Sequence, residues 1–317
     1  GSAPAWLPCV QTMRGLHAPL PTRHPDVPAR TGHGRAHPEA EPATARAAGS
    51  VGTVMVLSSE STRTLEEVSR AATGPIWFQQ YLYRDRALTL EMAQRADEAG
   101  FSAICVLVGA SIKPKRERDM KNRQVSQVSP NYAGLNLNPY SSAPTPGIPQ
   151  GLDEVMDPSA TWEGLDRLAA NTRLPVLVKG IMTGEDARLC AENGAKAVVV
   201  SNAGGRYLDT AFATIEVLPE IAEAVDGSIE VYLDSGVRRG SDVFKALALG
   251  ARAVLVGRAV FWGLAVNGEA GARAVLEILR DELDTTMGFC GCPTVDSINM
   301  SHVGAASPLL SLFPQPH

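Results

Sequence analysis

The stretch that decides the fold runs from 174 to 263 and contains three pieces of one kind: LPVLVKG (174–180), VVVSNAGGRYLD (198–209) and VYLDSGVRRGSDVFKALALGARAVLVGRAVFWG (231–263). Each opens on a nearly continuous apolar, β-branched run and passes into glycine and polar residues. Strands buried on both faces of a parallel sheet read this way. In a barrel of such strands, the residues just past each strand end converge on one rim, where ligands bind.

The same alternation extends outward. Short apolar runs stand at 53–58, 76–82, 103–108, 175–179, 197–201, 231–234 and 253–256. Helical patterns lie between them at 64–72, 87–99, 184–193, 213–225 and 241–249, and Gly100, Gly194 and Gly250 follow three of these as C-caps. Seven β-α repeats are countable, so an eight-stranded (β/α)8 TIM barrel needs one more strand, before residue 46. The best candidate is 24–31, a degraded strand with two prolines and an aspartate. An open doubly wound sheet is the alternative α/β architecture.

Residues 1–45 hold eight of the 22 prolines and four of the six histidines and show no period, so they read as a poorly ordered N-terminal extension. Residues 46–303 form the expected barrel domain and 304–317 a C-terminal tail. Residues 109–160 interrupt the repeat after the fourth strand. They open on a basic stretch (Lys113, Lys115, Arg116, Arg118, Lys121, Arg123) and read as a lid-like insertion or a solvated charged face.

Composition excludes several classes. A net charge of −5 gives no broad basic surface for nucleic acid. No apolar run reaches the length of a membrane span, and the N-terminus carries no continuous apolar stretch, so neither a membrane anchor nor a secretory signal is expected. The five scattered cysteines are odd in number, which argues against a disulfide framework and for a reducing, cytoplasmic setting. Cys290-Gly-Cys292 is too closely spaced for a metal knuckle, and no metal is expected.

Chemistry gathers past the strand ends. Asp234-Ser-Gly-Val-Arg-Arg-Gly240 and Gly257-Arg258 end the last two strands and open helices. Glycines let backbone N–H groups approach a ligand, a helix N-terminus favours an anion and arginine adds a bidentate contact, so this pair of loops reads as a phosphate site. The alternative is glycine-rich turns with surface arginines. Lys179 ends an apolar strand, and a buried cation there needs a partner. An anionic ligand edge and an internal pair with Asp234 both satisfy it.

Several blocks, in order over about residues 36–303, resemble the FMN-dependent 2-hydroxy-acid oxidases and dehydrogenases, which oxidise glycolate, lactate and mandelate. Beside the stretch above they are AHPEAEPATARAAG (36–49), LSS (57–59), WFQQYLYRDR (77–86), KNR (121–123) and CGCPTV (290–295). The resemblance implies a TIM barrel, FMN as cofactor, a small carboxylate substrate and a homo-oligomer, commonly a tetramer. It implies flavin contacts at Ser58, Gln79, Lys179, Asp234, Gly236, Arg238, Gly257 and Arg258, with Lys179 at flavin N1/O2. Substrate contacts would be Tyr81, Arg116 and Arg206, and Tyr81 and Lys179 would belong to the catalytic set.

The pattern also breaks. The family's Ser-Asn-His-Gly-Gly-Arg is Ser201-Asn-Ala-Gly-Gly-Arg206 here, so Ala203 stands at the position of the general-base histidine, and no histidine occurs from 38 to 301. Gly109 replaces the aspartate that steadies that histidine, Glu60 replaces a tryptophan, and Ala29-Arg30-Thr31 replaces a Pro-Thr-Ala flavin contact. The family's N-terminal substrate tyrosine has no counterpart. An engineered base knockout explains Ala203 alone, whereas natural divergence explains all of these changes. Three functions fit: a flavoenzyme with atypical or impaired oxidation of an α-substituted carboxylate, a non-redox isomerase, lyase or cyclase on the same scaffold, or a non-catalytic binding protein.

Overall fold

The computed structural model describes residues 32–110, 129–133 and 155–304, together with the backbone of 9–11. Eight parallel strands close into a barrel in chain order. They are β1 (Cys9–Gln11), β2 (Met55–Ser58), β3 (Ile76–Gln80), β4 (Ala103–Leu107), β5 (Val176–Ile181), β6 (Ala197–Val200), β7 (Glu230–Leu233) and β8 (Ala253–Val256). Helices α1 (Ala40–Ser50), α2 (Leu65–Ala71), α3 (Arg86–Glu98), α4 (Trp162–Ala170), α5 (Gly184–Glu192), α6 (Thr214–Val225), α7 (Gly240–Ala248) and α8 (Arg258–Phe289) are the α-helices among the described residues.

Local chemistry sets the element ends. Thr64 and Glu67 form a reciprocal capping box at α2, with Thr64 N–H donating to Glu67 Oε2 at 2.9 Å and Glu67 N–H to Thr64 Oγ1 at 3.2 Å. Asp85 caps α3 by accepting from the Ala87 N–H at 2.8 Å. The long α8 breaks at Asn267–Gly268, where Gly268 takes φ 55°.

Strand alternation divides the core in two. Val56, Cys105, Leu177, Val199, Tyr232 and Leu255 point into the barrel and pack together. Their neighbours Met55, Leu57, Ile104, Val178 and Val198 point outward under the helices. The period of two then carries Ser58, Gln79, Leu107, Lys179, Ser201, Asp234 and Gly257 to the inward side at the top of the barrel. A bulge in β5, between Lys179 and Ile181, absorbs Gly180 at φ 109°. A Cβ there would sit 2.6 Å from the Val108 carbonyl oxygen, so only glycine fits this close approach of β4 and β5.

Three expectations need correction. The barrel's first strand is β1, paired with β8 through Cys9–Leu255 and with β2 through Val10–Met55. The strand is therefore present, three residues long and upstream of the 24–31 candidate. The segment 24–31 lies outside the described residues. The barrel domain also begins before residue 46: α1 starts at Ala40, and His33, Glu41 and Thr44 are buried. Glu41 ties this region together by accepting from the His33 and Thr62 N–H groups, at 3.0 and 2.9 Å. Finally, part of 109–160 is interior. Ser129, Asn131 and Tyr132 are buried, and Asn131 Nδ2 donates to the Ser59 carbonyl at 3.1 Å. Most of that segment, including Arg116, lies outside the described residues, as does 305–317.

Candidate functional site

The polar layer at the top of the barrel is tied by side chains. Lys179 Nζ lies 2.6 Å from Asp234 Oδ2 and donates to Ser201 Oγ at 2.6 Å. Both charged groups are buried, Lys179 at 2% and Asp234 at 5% exposure. A buried ion pair recovers its desolvation cost only when further hydrogen bonds complete it. Here Ser235 Oγ donates to Asp234 Oδ1 at 2.7 Å, and Thr214 Oγ1 donates to the Asp234 carbonyl at 2.6 Å. The internal pairing foreseen for Lys179 therefore exists. Beneath it, burial pushes the Cys105 thiol up to about 12, so that thiol stays protonated.

The network continues into the loop after β6. Ser201 Oγ accepts from the Ala203 N–H at 3.2 Å, and the Gly204 N–H donates to Ser235 Oγ at 2.9 Å. Arg206 Nε donates to the Ala203 carbonyl at 3.2 Å. Ala203 itself takes φ 53°, in the left-handed region that alanine enters at a cost. Gly109, two residues past β4, takes φ 72°, and a Cβ built there meets nothing within 4 Å among the described residues.

Beside this network a cavity of about 260 Å³ is lined by Asp234, Gly236, Arg238, Gly257, Arg258 and Trp262. Gly236 takes φ 91°, and a Cβ there would meet nothing within 4 Å among the described residues. Gly257 precedes the first turn of α8, and Arg258 Nη2 reaches back to the Gly204 carbonyl at 3.4 Å. Glycine backbone, a helix N-terminus and two arginines make an anion cradle.

The β2–β3 side is built differently. Ser58 Oγ accepts from the Glu60 N–H at 3.2 Å, and Gln79 is buried with no hydrogen-bond partner at Nε2 among the described residues. Tyr81 follows β3 and is buried, its ring centroid 6.4 Å from that of Tyr83. Tyr83 and Tyr132 hydroxyls lie 2.7 Å apart, and each reaches Ser59 Oγ, at 3.3 and 2.8 Å. Burial is the largest cause raising both phenols, Tyr83 to about 12.

The structure thus brings together Lys179, Asp234, Gly236, Arg238, Gly257, Arg258, Ala203 and Arg206 on one arc, and Ser58, Gln79 and Tyr81 on another. Ser201, Ser235 and Thr214 were not singled out from sequence. Ser201 was reachable by counting two residues on from inward-facing Val199. Thr214 was not, because its contact joins α6 to the end of β7.

The family model described as FMN-dependent dehydrogenase matches residues 21–305. Glycolate oxidase of Spinacia oleracea is 45% identical over 271 residues, which cover 85% of this chain and 74% of that protein. A peroxisomal (S)-2-hydroxyacid oxidase of Arabidopsis thaliana is 43% identical, covering 89% of this chain and 78% of that protein. Among solved structures, a mandelate oxidase variant with (S)-mandelic acid superposes with a TM-score of 0.72 at 40% identity, covering 84% of this chain and 73% of that one.

These findings correct the cytoplasmic expectation. Relatives named as peroxisomal enzymes point to the peroxisome instead. Unpaired cysteines report a reducing setting, not an address, which is why the inference failed. The residues present fit FMN: the anion cradle suits its phosphate, and the buried Gln79 Nε2 is a donor awaiting an acceptor. Carrying the family's fold, cofactor cradle and sequence blocks, the chain belongs to the FMN-dependent dehydrogenase family and is an FMN-dependent oxidoreductase of the 2-hydroxy-acid oxidase type.

Proposed function

We propose that the protein holds FMN on the β5–β8 rim and binds an α-substituted carboxylate above it, with oxidation impaired because Ala203 supplies no base. FMN, when bound, supplies a two-electron acceptor. Asp234, Gly236, Arg238, Gly257 and Arg258 hold its ribityl and phosphate groups. Lys179 serves the N1/O2 edge, and Ser58 and Gln79 contact the ring system. Arg206, with Arg116 from outside the described residues, clamps the substrate carboxylate, and Tyr81 orients the substrate. A homo-oligomer, by family resemblance a tetramer, completes the reading.

The observation that carries it is the conformation at 203. The residue keeps a left-handed φ of 53° and both backbone hydrogen bonds of its loop, while its methyl group cannot titrate. Histidine enters the left-handed region several-fold more readily than most residues. A positioned general base contributes roughly 10²–10⁴ in rate. The test is Ala203→His in protein loaded with FMN, with loss of visible flavin absorbance followed under anaerobic glycolate, lactate or mandelate. Reduction faster by roughly 10²-fold or more supports the reading. Rapid reduction of the unsubstituted protein, or no gain in the variant, overturns it.

A further inference from the structure

Ser235 lies in the left-handed region at φ 71°, as Ala203 does across the rim. Residues with a Cβ enter that region at a cost, and strain of this kind gathers at functional sites. Thr214 Oγ1 holds the turn by donating to the Asp234 carbonyl at 2.6 Å and to the Ser235 carbonyl at 3.2 Å. The Ser235 side chain lines the anion cradle and bridges two groups. Its hydroxyl donates its one proton to Asp234 Oδ1 at 2.7 Å and accepts from the Gly204 N–H at 2.9 Å. Asn202 Oδ1 shares that N–H at 3.0 Å.

The Gly204 N–H and the Ala203 carbonyl belong to one planar trans peptide unit, so they point in opposite directions. Ser235 holds the N–H, and the carbonyl accepts from Arg206 Nε at 3.2 Å. The preceding N–H, that of Ala203, is held by Ser201 Oγ at 3.2 Å, and Ser201 in turn accepts from Lys179 Nζ at 2.6 Å. Two successive N–H groups of the loop therefore hang on serine hydroxyls. Each serine is tied to one member of the buried Lys179–Asp234 pair. Ala203, Gly204 and Gly205 take φ of 53°, 68° and 74°. Glycine is at ease in that region but adds no stiffness of its own, so the direction of the 203–204 peptide depends on its partners.

We propose that Ser235 is a positioning residue for substrate. It transmits the placement of Asp234, in the cofactor cradle, through the 203–204 peptide to Arg206, and so aims the guanidinium at the substrate carboxylate. Ser201 is the parallel strut from Lys179. The proposal rests on the reading that a carboxylate binds at Arg206. It gives the strained backbone at 235 a purpose: glycine would relieve the strain but would cut the tie between Asp234 and the Gly204 N–H.

The test compares Ser235→Gly, Ser235→Ala and the unsubstituted protein, all saturated with FMN. Titration calorimetry measures the affinity for oxalate, a carboxylate with no α-hydrogen to lose, and melting curves are recorded on the same samples. Both variants lack the hydroxyl and are expected to bind oxalate roughly 10-fold more weakly. Only alanine keeps the strain, so Ser235→Gly is expected to melt above Ser235→Ala. Equal losses of affinity at unequal stability assign the effect to the hydroxyl and not to general loosening. Unchanged oxalate affinity in both variants overturns the proposal alone. A loss in Ser235→Ala that Ser235→Gly does not share overturns it too, since affinity would then follow stability. Absence of oxalate binding by the unsubstituted protein overturns the carboxylate reading and this proposal with it.

Discussion

Two regions of the rim meet the same ligand space and are built in opposite ways. On the β5–β8 arc, side chains hold one another: Lys179, Asp234, Ser201 and Ser235 each serve at least two polar atoms or charges. At 109 and 203 only backbone shape is kept. Ala203 contributes its N–H and C=O to the loop, and its side chain contributes nothing to the network. Holding a flavin requires many groups fixed at once, so loss of any one disturbs the rest. Moving a proton requires one titratable atom, which can disappear without structural cost. The two functions are thus separable in this barrel.

That contrast breaks most sharply at Lys179. Lys179→Met leaves Asp234 buried without its cation and should cost about 3–5 kcal/mol, read by urea denaturation, with loss of bound FMN. Unchanged stability would show the arc to be as dispensable as the base. Gly109→Asp tests the other side. No described residue blocks a side chain there, but the left-handed φ of 72° should cost about 1–2 kcal/mol. Added to Ala203→His, it should raise the rate of flavin reduction further while lowering the melting temperature.

Acid should weaken the holding side through its supporting shell. His33 is buried against Thr44, Glu41 and the Phe261 ring, and burial holds its pKa below the ordinary 6.5. The unfolded chain then binds a proton that the folded protein refuses. Stability is full above pH 6.5 and falls as pH drops below it, by at most about 1.4 kcal/mol per unit. His33→Gln should flatten that slope in melting curves between pH 7 and 5, and an unchanged slope would count against His33 as the cause. The smallest effect is expected at Ala203→Gly, which relieves a left-handed alanine and should raise stability by about 0.5 kcal/mol. A loss there would show that the methyl group packs usefully after all.

Strands β2 to β8 were legible because each is a buried apolar run, and the observed limits fall within about two residues of those runs. β1 was not, since three residues with one valine carry no period. Its identity depends on β8 and β2 standing on either side. The phosphate arc was legible as glycines and arginines at strand ends. The Ser59–Tyr83–Tyr132 ring was not, because Tyr132 arrives from an insertion whose path no local pattern specifies.

The brevity of β1 bears on how the chain assembles. Its partners include Leu255, so closure joins segments more than two hundred residues apart. Loop-closure entropy makes such pairing late and slow. Until it forms, β2 and β8 are open edges of a seven-stranded sheet, the kind of surface on which chains aggregate during synthesis. Three residues of strand thus act as a clasp, and the yield of soluble protein should respond to changes there more than flavin chemistry does.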